Sequence, residues 1–355
     1  MTSNDTTSND VTPRELVKQT LEFKNPSRVP RQMWTLPWAG MYHGEELKEI
    51  QTSFPDDIVM AFLPGAVTCE CFTARPGDPK GEPYELGTYL DVWGCTFTIK
   101  HRGVIGETKG SLIADEEWED DHKFKTPEIA LKIDKAAVNE FCASTDKFVL
   151  SGDLVRPFER LQFLRGTEAL YMDLALRPKR MFKNFEKIHD FYCRLLTSWC
   201  ETDVDGVWCT DDWGSQRALL INPALWVEFF KPMYKDYVEI AHKYGKKFMM
   251  HSDGYILDIY PHFIDMGVDA INSQIFCMGV DKLAQYKNHI TFWGEVDRQY
   301  LLPHGTAQEI TDAVRLMRYK LWKNGGYIAQ CEFGPGARPE NVRKVFEIWD
   351  EDMAR

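Results

Sequence analysis

The sequence predicts an α/β domain folded as an eight-stranded β/α barrel, with a hairpin excursion between the second and third barrel strands. Eight short apolar runs, rich in β-branched, aromatic and methionine residues, recur along the chain as in parallel strands that are buried on both faces. Between them, stretches such as residues 180–201 and 223–244 repeat apolar residues at three- and four-residue spacing, which is typical of helices packed on such strands. Eight such units favour closure into a barrel.

The boundaries of the domain follow from the first helix and from the eight runs. The residues Thr12-Pro13-Arg14-Glu15 supply an N-cap hydroxyl, a proline in the first helical turn and a capping-box glutamate, so folded structure is expected from Thr12. We therefore expect a disordered tail at residues 1–11 and a single domain at residues 12–355. The eight runs are RQMWTL from Arg31, DIVMAFL from Asp57, KFVLSGD from Lys147, DGVWCTDD from Asp205, KKFMMHSD from Lys246, DAINSQ from Asp269, ITFWGEVD from Ile290 and GYIAQCEF from Gly326.

One segment departs from the barrel pattern. Residues 69–121 are rich in glycine, proline, threonine and aromatics, and the stretch GTYLDVWGCTFTIKHRGVIGET within them is typical of antiparallel hairpins. It lies between the second and third runs. We expect this segment, inserted between the second and third barrel strands, to cover the mouth of the barrel.

Composition narrows the classes of partner. The formal net charge is −12 and the chain has no long Lys/Arg block, which argues against a nucleic-acid partner. Nine cysteines are scattered without a CxxC pair, as expected in a reducing compartment. The first ten residues, MTSNDTTSND, contain no apolar stretch that would serve as a signal peptide or anchor. We therefore expect a cytoplasmic protein that acts on a small molecule or another protein, away from membranes.

Polar residues stand at the end of most predicted strands. In a β/α barrel the carboxyl ends of the strands face the active site. From this set we predict Asp153, Asp212 and Glu295 as catalytic residues. The alternatives are structural: Asp211 and Asp212 as turn formers, and Asp153 as an ion-pair partner of Arg156. The strand-end residues are Asp153, Asp211, Asp212, His251, Asp253, Asn272, Gln274, Glu295, Asp297, Cys331 and Glu332.

The strand ends also suggest a metal site. His251 and Asp253 lie on the same side of an extended segment, and Cys331 lies on a strand that closes beside the first. A histidine, a carboxylate and a thiolate match the donors of catalytic zinc sites, which keep a further position for substrate. The structural alternatives are a histidine that caps a strand and a cysteine buried in the core.

A rival metal set ranks second. Asp153, Glu168 and His189 are separated by fourteen and twenty residues, but His189 is expected in the middle of a helix and Glu168 near a helix start.

Aromatic residues stand near several strand ends. They are predicted to stack on a substrate ring, with core packing as the alternative. The five assigned to substrate binding are Trp34, Trp38, Trp213, Phe276 and Phe333.

A family resemblance rests on the stretches ELVKQTLEFKNPSRVP, DVWG, GDLVRPFERLQFLRGTEALYMDLALRP, TDDWGSQ, MMHSDGYILDIYPHFIDMGVDAIN, FWGEVDRQYLLPHGT and GGYIAQCEFGPGARPENV. Through them the chain resembles the uroporphyrinogen decarboxylase superfamily over nearly its whole length from Thr12. The decarboxylases themselves carry an Arg-Gln-Ala-Gly-Arg-Tyr signature after the first strand, whose arginines hold the substrate carboxylates. This chain has RQMW from Arg31 and WAGMY from Trp38, so the arginine pair is missing and haem-pathway decarboxylation is not expected.

The cobalamin-dependent methyltransferases, the other large branch of the superfamily, resemble this chain in their pattern of metal ligands. These enzymes bind zinc through His-x-Cys on the fifth strand and a distant cysteine on the eighth. His251 and Cys331 fall on the outer positions of this pattern, and Asp253 takes the place of the middle cysteine. A carboxylate makes the zinc site harder and better suited to an oxygen donor.

The resemblance therefore implies a methyltransferase that moves a methyl group from an O-methyl donor, such as a phenyl methyl ether, to cobalt. No corrinoid-binding segment is recognisable, so a separate corrinoid protein is the expected partner. Three alternatives stay open. They are transfer from a methyl-corrinoid to a thiol or folate, a metal-free decarboxylase-like lyase that holds a carboxylated substrate through Asp153, Asp212 and His251, and a non-enzymatic tetrapyrrole-binding protein.

Overall fold

A computed structural model describes residues 11–71, 73–77 and 81–353 and contains an eight-stranded, nearly closed parallel barrel. Each of the eight predicted runs contains one barrel strand, which confirms the predicted fold. The predicted tail lies outside the described residues, except for residue 11. Numbered along the chain, the strands are β1 (Arg31–Thr35), β2 (Ile58–Met60), β3 (Gly87–Leu90), β4 (Thr96–Ile99), β5 (Glu107–Thr108), β6 (Phe148–Leu150), β7 (Gly206–Thr210), β8 (Lys247–Ser252), β9 (Ala270–Ser273), β10 (Thr291–Trp293) and β11 (Tyr327–Phe333).

Helices surround the barrel and begin where local sequence signals place them. The capping box of α1 forms as expected, with the Glu15 amide donating to the Thr12 hydroxyl at 3.2 Å and the Thr12 amide to the Glu15 carboxylate at 3.2 Å. The helices are α1 (Pro13–Leu21), α2 (Pro37–Tyr42), α3 (Gly44–Ser53), α4 (Lys135–Ala143), α5 (Pro157–Arg165), α6 (Thr167–Leu176), α7 (Lys179–Cys200), α8 (Pro223–Phe229), α9 (Lys231–Lys243), α10 (Tyr260–Met266), α11 (Ile275–Met278), α12 (Val280–Leu283), α13 (Leu301–His304), α14 (Ala307–Leu321) and α15 (Pro339–Met353).

One predicted helical stretch is divided in two. Residues 223–244 form α8 and α9, with Pro232 in the first turn of α9. A proline inside a continuous helix lacks the amide hydrogen and collides with the preceding turn. The break at this position follows from that constraint.

The barrel strands are adjacent in the order β1-β11-β10-β9-β8-β7-β6-β2. Their inward-facing side chains fill the barrel with bulky residues, and a second apolar layer packs between the strands and the outer helices. Because all the strands are parallel, their carboxyl ends share one mouth. The inner layer includes Phe148, Leu150, Trp208, Met249, Trp293 and Ile328.

The seam between β1 and β2 is closed by one backbone hydrogen bond and by two aspartate side chains. The Asp57 amide donates to the Arg31 carbonyl at 2.9 Å, and the Asp57 carboxylate accepts from the Arg31 amide at 2.8 Å. Both terminal nitrogens of Arg28 donate to the same carboxylate at 2.7 and 2.5 Å. One residue earlier, the Asp56 carboxylate accepts from the Met33 amide at 2.7 Å. These contacts replace the strand ladder that would otherwise close the barrel.

The predicted excursion forms a separate small sheet. Strands β3, β4 and β5 are antiparallel, with Tyr89 opposite Phe97. The segment leaves the barrel after β2 and returns before β6, as the sequence predicts.

In the part of the chain that the structure describes, no helix combines the length and the apolar character needed to cross a lipid bilayer.

The two seam aspartates are expected to act in opposite directions on stability. Replacing Asp57 by Asn removes the charge that Arg28 faces, and Asp57 is only 2% exposed whereas Arg28 is 34% exposed. We expect the free energy of unfolding to fall by about 2 kcal/mol. Urea unfolding at pH 8 measures this loss. A variant as stable as the wild type would contradict the assigned role of the seam ion pair.

Asp56→Asn is the variant to compare with Asp57→Asn. Burial raises the pKa of Asp56 to about 6, although the Met33 amide favours the carboxylate. A folded pKa above the unfolded value means that wild-type stability falls as pH rises from about 4 to 6. The asparagine variant lacks this titration, so at pH 8 it should be more stable than the wild type by about 1–2 kcal/mol, and nearly equal at pH 4.5. A constant difference across this range would contradict the assignment.

Candidate active site

A cavity of about 1100 Å³ opens at the carboxyl ends of the barrel strands. The hairpin segment contributes part of its wall, so the excursion does cover the mouth. Aromatic side chains and charged groups share the lining, a combination that suits a small organic ligand with one polar centre. The aromatic lining includes Trp34, Phe62, Tyr84, Tyr89, Phe97, Phe141, Phe163 and Trp208, and the charged lining comprises Asp56, Glu107, Arg156, Glu159, Asp212, His251, Asp253, Arg298 and Glu332.

Three predicted site residues converge in this cavity. Asp212 follows β7, His251 lies within β8 and Asp253 follows it, and each offers a ligand atom within 4.8 Å of the other two. The Nε2 atom of His251 lies 3.5 Å from an Asp212 oxygen and 3.7 Å from Oδ1 of Asp253. The backbone amide of Asp253 donates to Asp212 at 2.9 Å. The adjacent parallel strands thus bring an imidazole and two carboxylates to one point.

The orientation of His251 is set from behind by Asn272. Nδ1 of His251 lies 2.6 Å from Oδ1 of Asn272, whose side-chain amide donates to the Trp293 carbonyl at 2.5 Å. The amide is therefore oriented with its oxygen toward the imidazole, so Nδ1 carries the hydrogen. Nε2 is left facing the two carboxylates, which is the arrangement that histidine ligands of metal ions adopt.

The carboxylates favour a positive charge at this point. Burial opposes a charged imidazole, but the hydrogen bond to Asp212 and the charge of Asp253 outweigh it and raise the pKa of His251 to about 10. Oδ1 of Asp253 is buried and has no hydrogen-bond partner among the described residues. The cluster therefore attracts a cation and keeps a carboxylate oxygen available for it.

Arg298, which was not among the predicted site residues, fixes the far side of the cluster. Its guanidinium forms an ion pair with Oδ2 of Asp253 and another with Glu332 at 2.5 Å. Glu295 lies 3.8 Å from the Nε atom of Arg298, and burial raises the pKa of Glu295 to about 8. The position of Arg298 shortly after the end of β10, among acidic strand ends, is the signal that would have identified it.

Asp211 has a structural role instead of a role in the cavity. Its carboxylate accepts from the amides of Phe158 and Glu159 at 3.1 and 2.8 Å and from the Tyr234 hydroxyl at 2.5 Å. It therefore holds the first turn of α5. This turn places Glu159 in the cavity, where burial and the charge of Asp212 raise the pKa of Glu159 to about 8. Glu159 lacks a strand-end signal in the sequence because it belongs to helix α5.

Cys331 does not join His251 and Asp253. It is fully buried in β11, where it pairs in register with Met33, and it packs in the outer apolar layer. Its neighbour Glu332 lines the cavity, and successive side chains of a strand point to opposite faces. Burial also raises the pKa of the Cys331 thiol well above its usual range. The predicted strand is correct, but alternation along it selects Glu332 for the mouth.

The other two predicted catalytic carboxyls lie beside the main cavity. Asp153 is 1% exposed and accepts from the amides of Glu70 and Leu154, each at 2.9 Å. The Arg156 side chain, its expected partner, instead lies 3.5 Å from Glu70. Glu295 lines an adjoining pocket of about 150 Å³.

The rival metal set does not converge. Glu168 is exposed in the first turn of α6. His189 lies within α7, where its ring nitrogens contact the Tyr237 hydroxyl at 3.1 Å and Asp236 at 3.0 Å. Neither residue belongs to a metal-competent group with Asp153 in the described part of the chain.

Of the five aromatics assigned to substrate binding, Trp34 is the one that lines the main cavity, with its ring centroid 5.1 Å from that of His251. Phe276 lines the adjoining pocket. Trp213 is fully buried and stacks on Phe158 at 3.8 Å, so it packs helix α5 against the barrel. Trp38 contacts Tyr42, and Phe333 contacts His43.

A family model for uroporphyrinogen decarboxylase (URO-D) matches residues 12–351. The chain belongs to this family. The match covers the barrel, the hairpin excursion and every residue of the cavity described above. Comparison with curated protein sequences finds no match.

One solved structure of low sequence identity shares the fold of this chain over its full length. A methyltransferase from Methanosarcina mazei superposes with a TM-score of 0.68 at 13% identity, covering 97% of this chain and 99% of that protein. An endo-beta-1,4-xylanase from Gloeophyllum trabeum reaches a TM-score of 0.38 at 11% identity, covering 60% of this chain and 79% of its own. The full-length match to the first structure shows that the two proteins share the whole barrel.

Two glycines hold the loops of the cluster together. The Gly214 amide donates to the Asp253 carbonyl at 3.0 Å, and a Cβ atom at Gly214 would lie 2.3 Å from the Tyr255 nitrogen and 2.4 Å from the carbonyl carbon of Gly254. Gly214→Ala must therefore push the Asp212 loop away from the Asp253 loop. We expect a loss of about 1–3 kcal/mol in the free energy of unfolding, measured by urea titration.

Gly40→Ala is the control, because among the described residues no atom outside its own helix and chain neighbours lies within 4 Å of a Cβ at that position. We expect this change to keep the free energy of unfolding or to raise it by up to about 1 kcal/mol, because Gly40 lies in α2 and alanine is the better helix former. Equal free energies of unfolding for Gly214→Ala and Gly40→Ala would contradict this prediction, because they would show that the two loops separate at Gly214 without loss of stability.

Proposed function

We propose that this member of the uroporphyrinogen decarboxylase family is a methyltransferase that moves a methyl group from an O-methyl donor to the cobalt of a separate corrinoid protein. The observation that carries the proposal is the convergence of Asp212, His251 and Asp253 in a large aromatic cavity at the barrel mouth. The methyltransferase from Methanosarcina mazei that shares the whole barrel supports the same reaction class. A phenyl methyl ether is the donor that best suits the aromatic walls.

The donor set fits a zinc ion. Asp212, His251 and Asp253 supply two carboxylates and a preoriented imidazole, and the unpartnered Oδ1 of Asp253 faces His251. Asn272 and Arg298 hold the outer sides of these ligands, as the groups behind metal ligands commonly do. This set is harder than one with two thiolates, because Cys331 lies in the outer layer. When bound, zinc would supply a Lewis acid toward an ether oxygen.

The chain's own residues position the donor. Trp34 stands beside His251 and can stack on an aryl ring whose ether oxygen points at the cluster. The methyl carbon then faces the open side of the cavity, where the corrinoid must approach. In the transfer the carbon–oxygen bond breaks with its electron pair left on oxygen, and reduced cobalt supplies the pair that binds the methyl group. The leaving oxygen then takes a proton from water.

The missing arginine pair argues against the decarboxylase reaction for this chain. Arg31, at the start of β1, pairs with Asp350 at 2.8 Å, and Gln32 accepts the indole hydrogens of Trp34 and Trp293. The first strand thus presents an amide and an indole to the cavity, where a polycarboxylated substrate would require cations.

The catalytic roles predicted for Asp153 and Glu295 stay predictions. Both carboxyls are buried next to the cavity wall, and neither belongs to the Asp212 cluster.

Metal analysis tests the ligand set. We expect His251→Ala to contain one zinc equivalent less than the wild type after identical loading and desalting, because the imidazole is the central donor. Asp212→Asn should show the same loss, and Cys331→Ser should keep the wild-type content. A loss of zinc in Cys331→Ser, with full content in His251→Ala, would contradict the assigned ligands. Circular dichroism establishes that each variant is folded.

Single-turnover transfer tests the reaction. The wild type, mixed with a reduced corrinoid protein and a panel of O-methyl aromatic donors, should change the visible absorption of the corrinoid as the cobalt is methylated. His251→Ala should lower the rate by at least about a hundredfold, or roughly 2.7 kcal/mol in the barrier, and Cys331→Ser by less than about twofold. No transfer from any O-methyl donor, together with carbon dioxide release from a carboxylated tetrapyrrole, would contradict the proposal.

A further inference from the structure

A second group of metal-competent side chains lies in the wall of the same cavity, apart from the Asp212 cluster. Cys69, Cys71 and Asp153 each offer a ligand atom within 4.8 Å of the other two. The Cys69 thiol donates to Oδ1 of Asp153 at 3.2 Å. Both cysteines line the cavity, and both are free thiols. The group joins the loop after β2 to the end of β6.

We propose that Cys69, Cys71 and Asp153 form a second metal site, which binds a thiophilic divalent cation of the zinc class. Two sulfurs and one carboxylate oxygen are the donors that such ions prefer, and three protein ligands leave a further coordination position. That position faces the cavity, because both thiols belong to its lining. The inference does not rest on the proposed methyl transfer.

The backbone of this group is held in place before any ion arrives. Between the two cysteines, the carboxylate of Glu70 is fully buried and receives the Arg160 guanidinium at 2.5 Å, the Trp93 indole hydrogen at 2.6 Å and the Tyr192 hydroxyl at 3.0 Å. The Glu70 amide in turn donates to Asp153 at 2.9 Å. A fixed central residue with one ligand on each side lowers the conformational entropy lost on binding.

The third ligand is equally constrained. Oδ1 of Asp153 accepts from the Leu154 amide at 2.9 Å, in addition to the Cys69 thiol. Arg156 donates to the Cys71 carbonyl at 3.0 Å, which ties the end of the cysteine segment to the start of α5. Binding requires release of the two thiol protons to solvent as the sulfurs take up the ion, and the Cys71 thiol then gives up its hydrogen bond of 3.0 Å to Glu70.

The two clusters differ in donor type, which allows them to be separated. The Asp212 cluster contains no sulfur, whereas this group contains two. Cobalt(II) bound to thiolates absorbs in the near ultraviolet through charge transfer from sulfur, and cobalt(II) bound to imidazole and carboxylates does not. A titration of metal-depleted, reduced protein with cobalt(II) therefore reports on Cys69 and Cys71 alone.

In the wild type we expect the charge-transfer band to appear and to saturate when one cobalt(II) ion per chain is bound to the sulfur-containing group. Cys69→Ser/Cys71→Ser should lose the band completely, and Asp153→Asn should keep it with an affinity about tenfold weaker. His251→Ala should keep the full band, since it removes only the sulfur-free cluster. If His251→Ala loses methyl transfer, the charge-transfer band is still expected, so the two proposals are tested separately.

The matched control is Cys193→Ser/Cys277→Ser, which removes the other two partly exposed cysteines. It should titrate like the wild type. Absence of the band in the folded wild type, or its persistence in Cys69→Ser/Cys71→Ser, would overturn the proposal. Loss of the band in the control variant would place the sulfur ligands elsewhere and would also overturn it.

Discussion

The closure of the barrel between β1 and β2 is the contact on which the rest of the architecture depends. Asp57 accepts from Arg28 and from the Arg31 amide, and Asp56 accepts from the Met33 amide, where two neighbouring strands would ordinarily form a ladder. With the seam closed, the carboxyl ends of all eight strands surround one mouth. Trp34 on β1 can then face His251 on β8, across the barrel.

Within that mouth, charge balance organises the candidate site. Asp212 and Asp253 draw a positive charge to the Nε2 side of His251, while Asn272 holds its other nitrogen. Arg298 neutralises the outer oxygen of Asp253, and the inner one has no hydrogen-bond partner among the residues that the structure describes. The cationic side chains thereby offset part of the repulsion between the neighbouring carboxylates. The second group in the cavity wall, Cys69, Cys71 and Asp153, contains two thiols and a carboxylate. A separate network of buried ion pairs around Glu70 holds this group in place.

Most of the fold was predictable because the signals are local. The apolar runs, the capping box of α1 and the hairpin composition each depend on neighbouring residues, and each formed where expected. The candidate cluster of Asp212, His251 and Asp253 was predictable in part, since His251 and Asp253 lie close in sequence at one strand end. Asp212 was correctly expected at the mouth because it follows the end of strand β7. Glu159 was missed because it reaches the cavity from helix α5, where no strand end marks it, and Arg298 because it lies in the loop several residues after the end of β10.

The sequence by itself determined the strands, their parallel order and the chemistry available at their ends. Only the tertiary structure decided which of these side chains meet. Cys331 and Glu332 are adjacent in sequence, yet the alternation of β11 turns the thiol to the outer layer and the carboxylate to the cavity. Cys69 and Asp153 are 84 residues apart, and they meet because β2 and β6 are neighbouring strands. Such meetings depend on register and side-chain direction, which are fixed when the strands pair and pack.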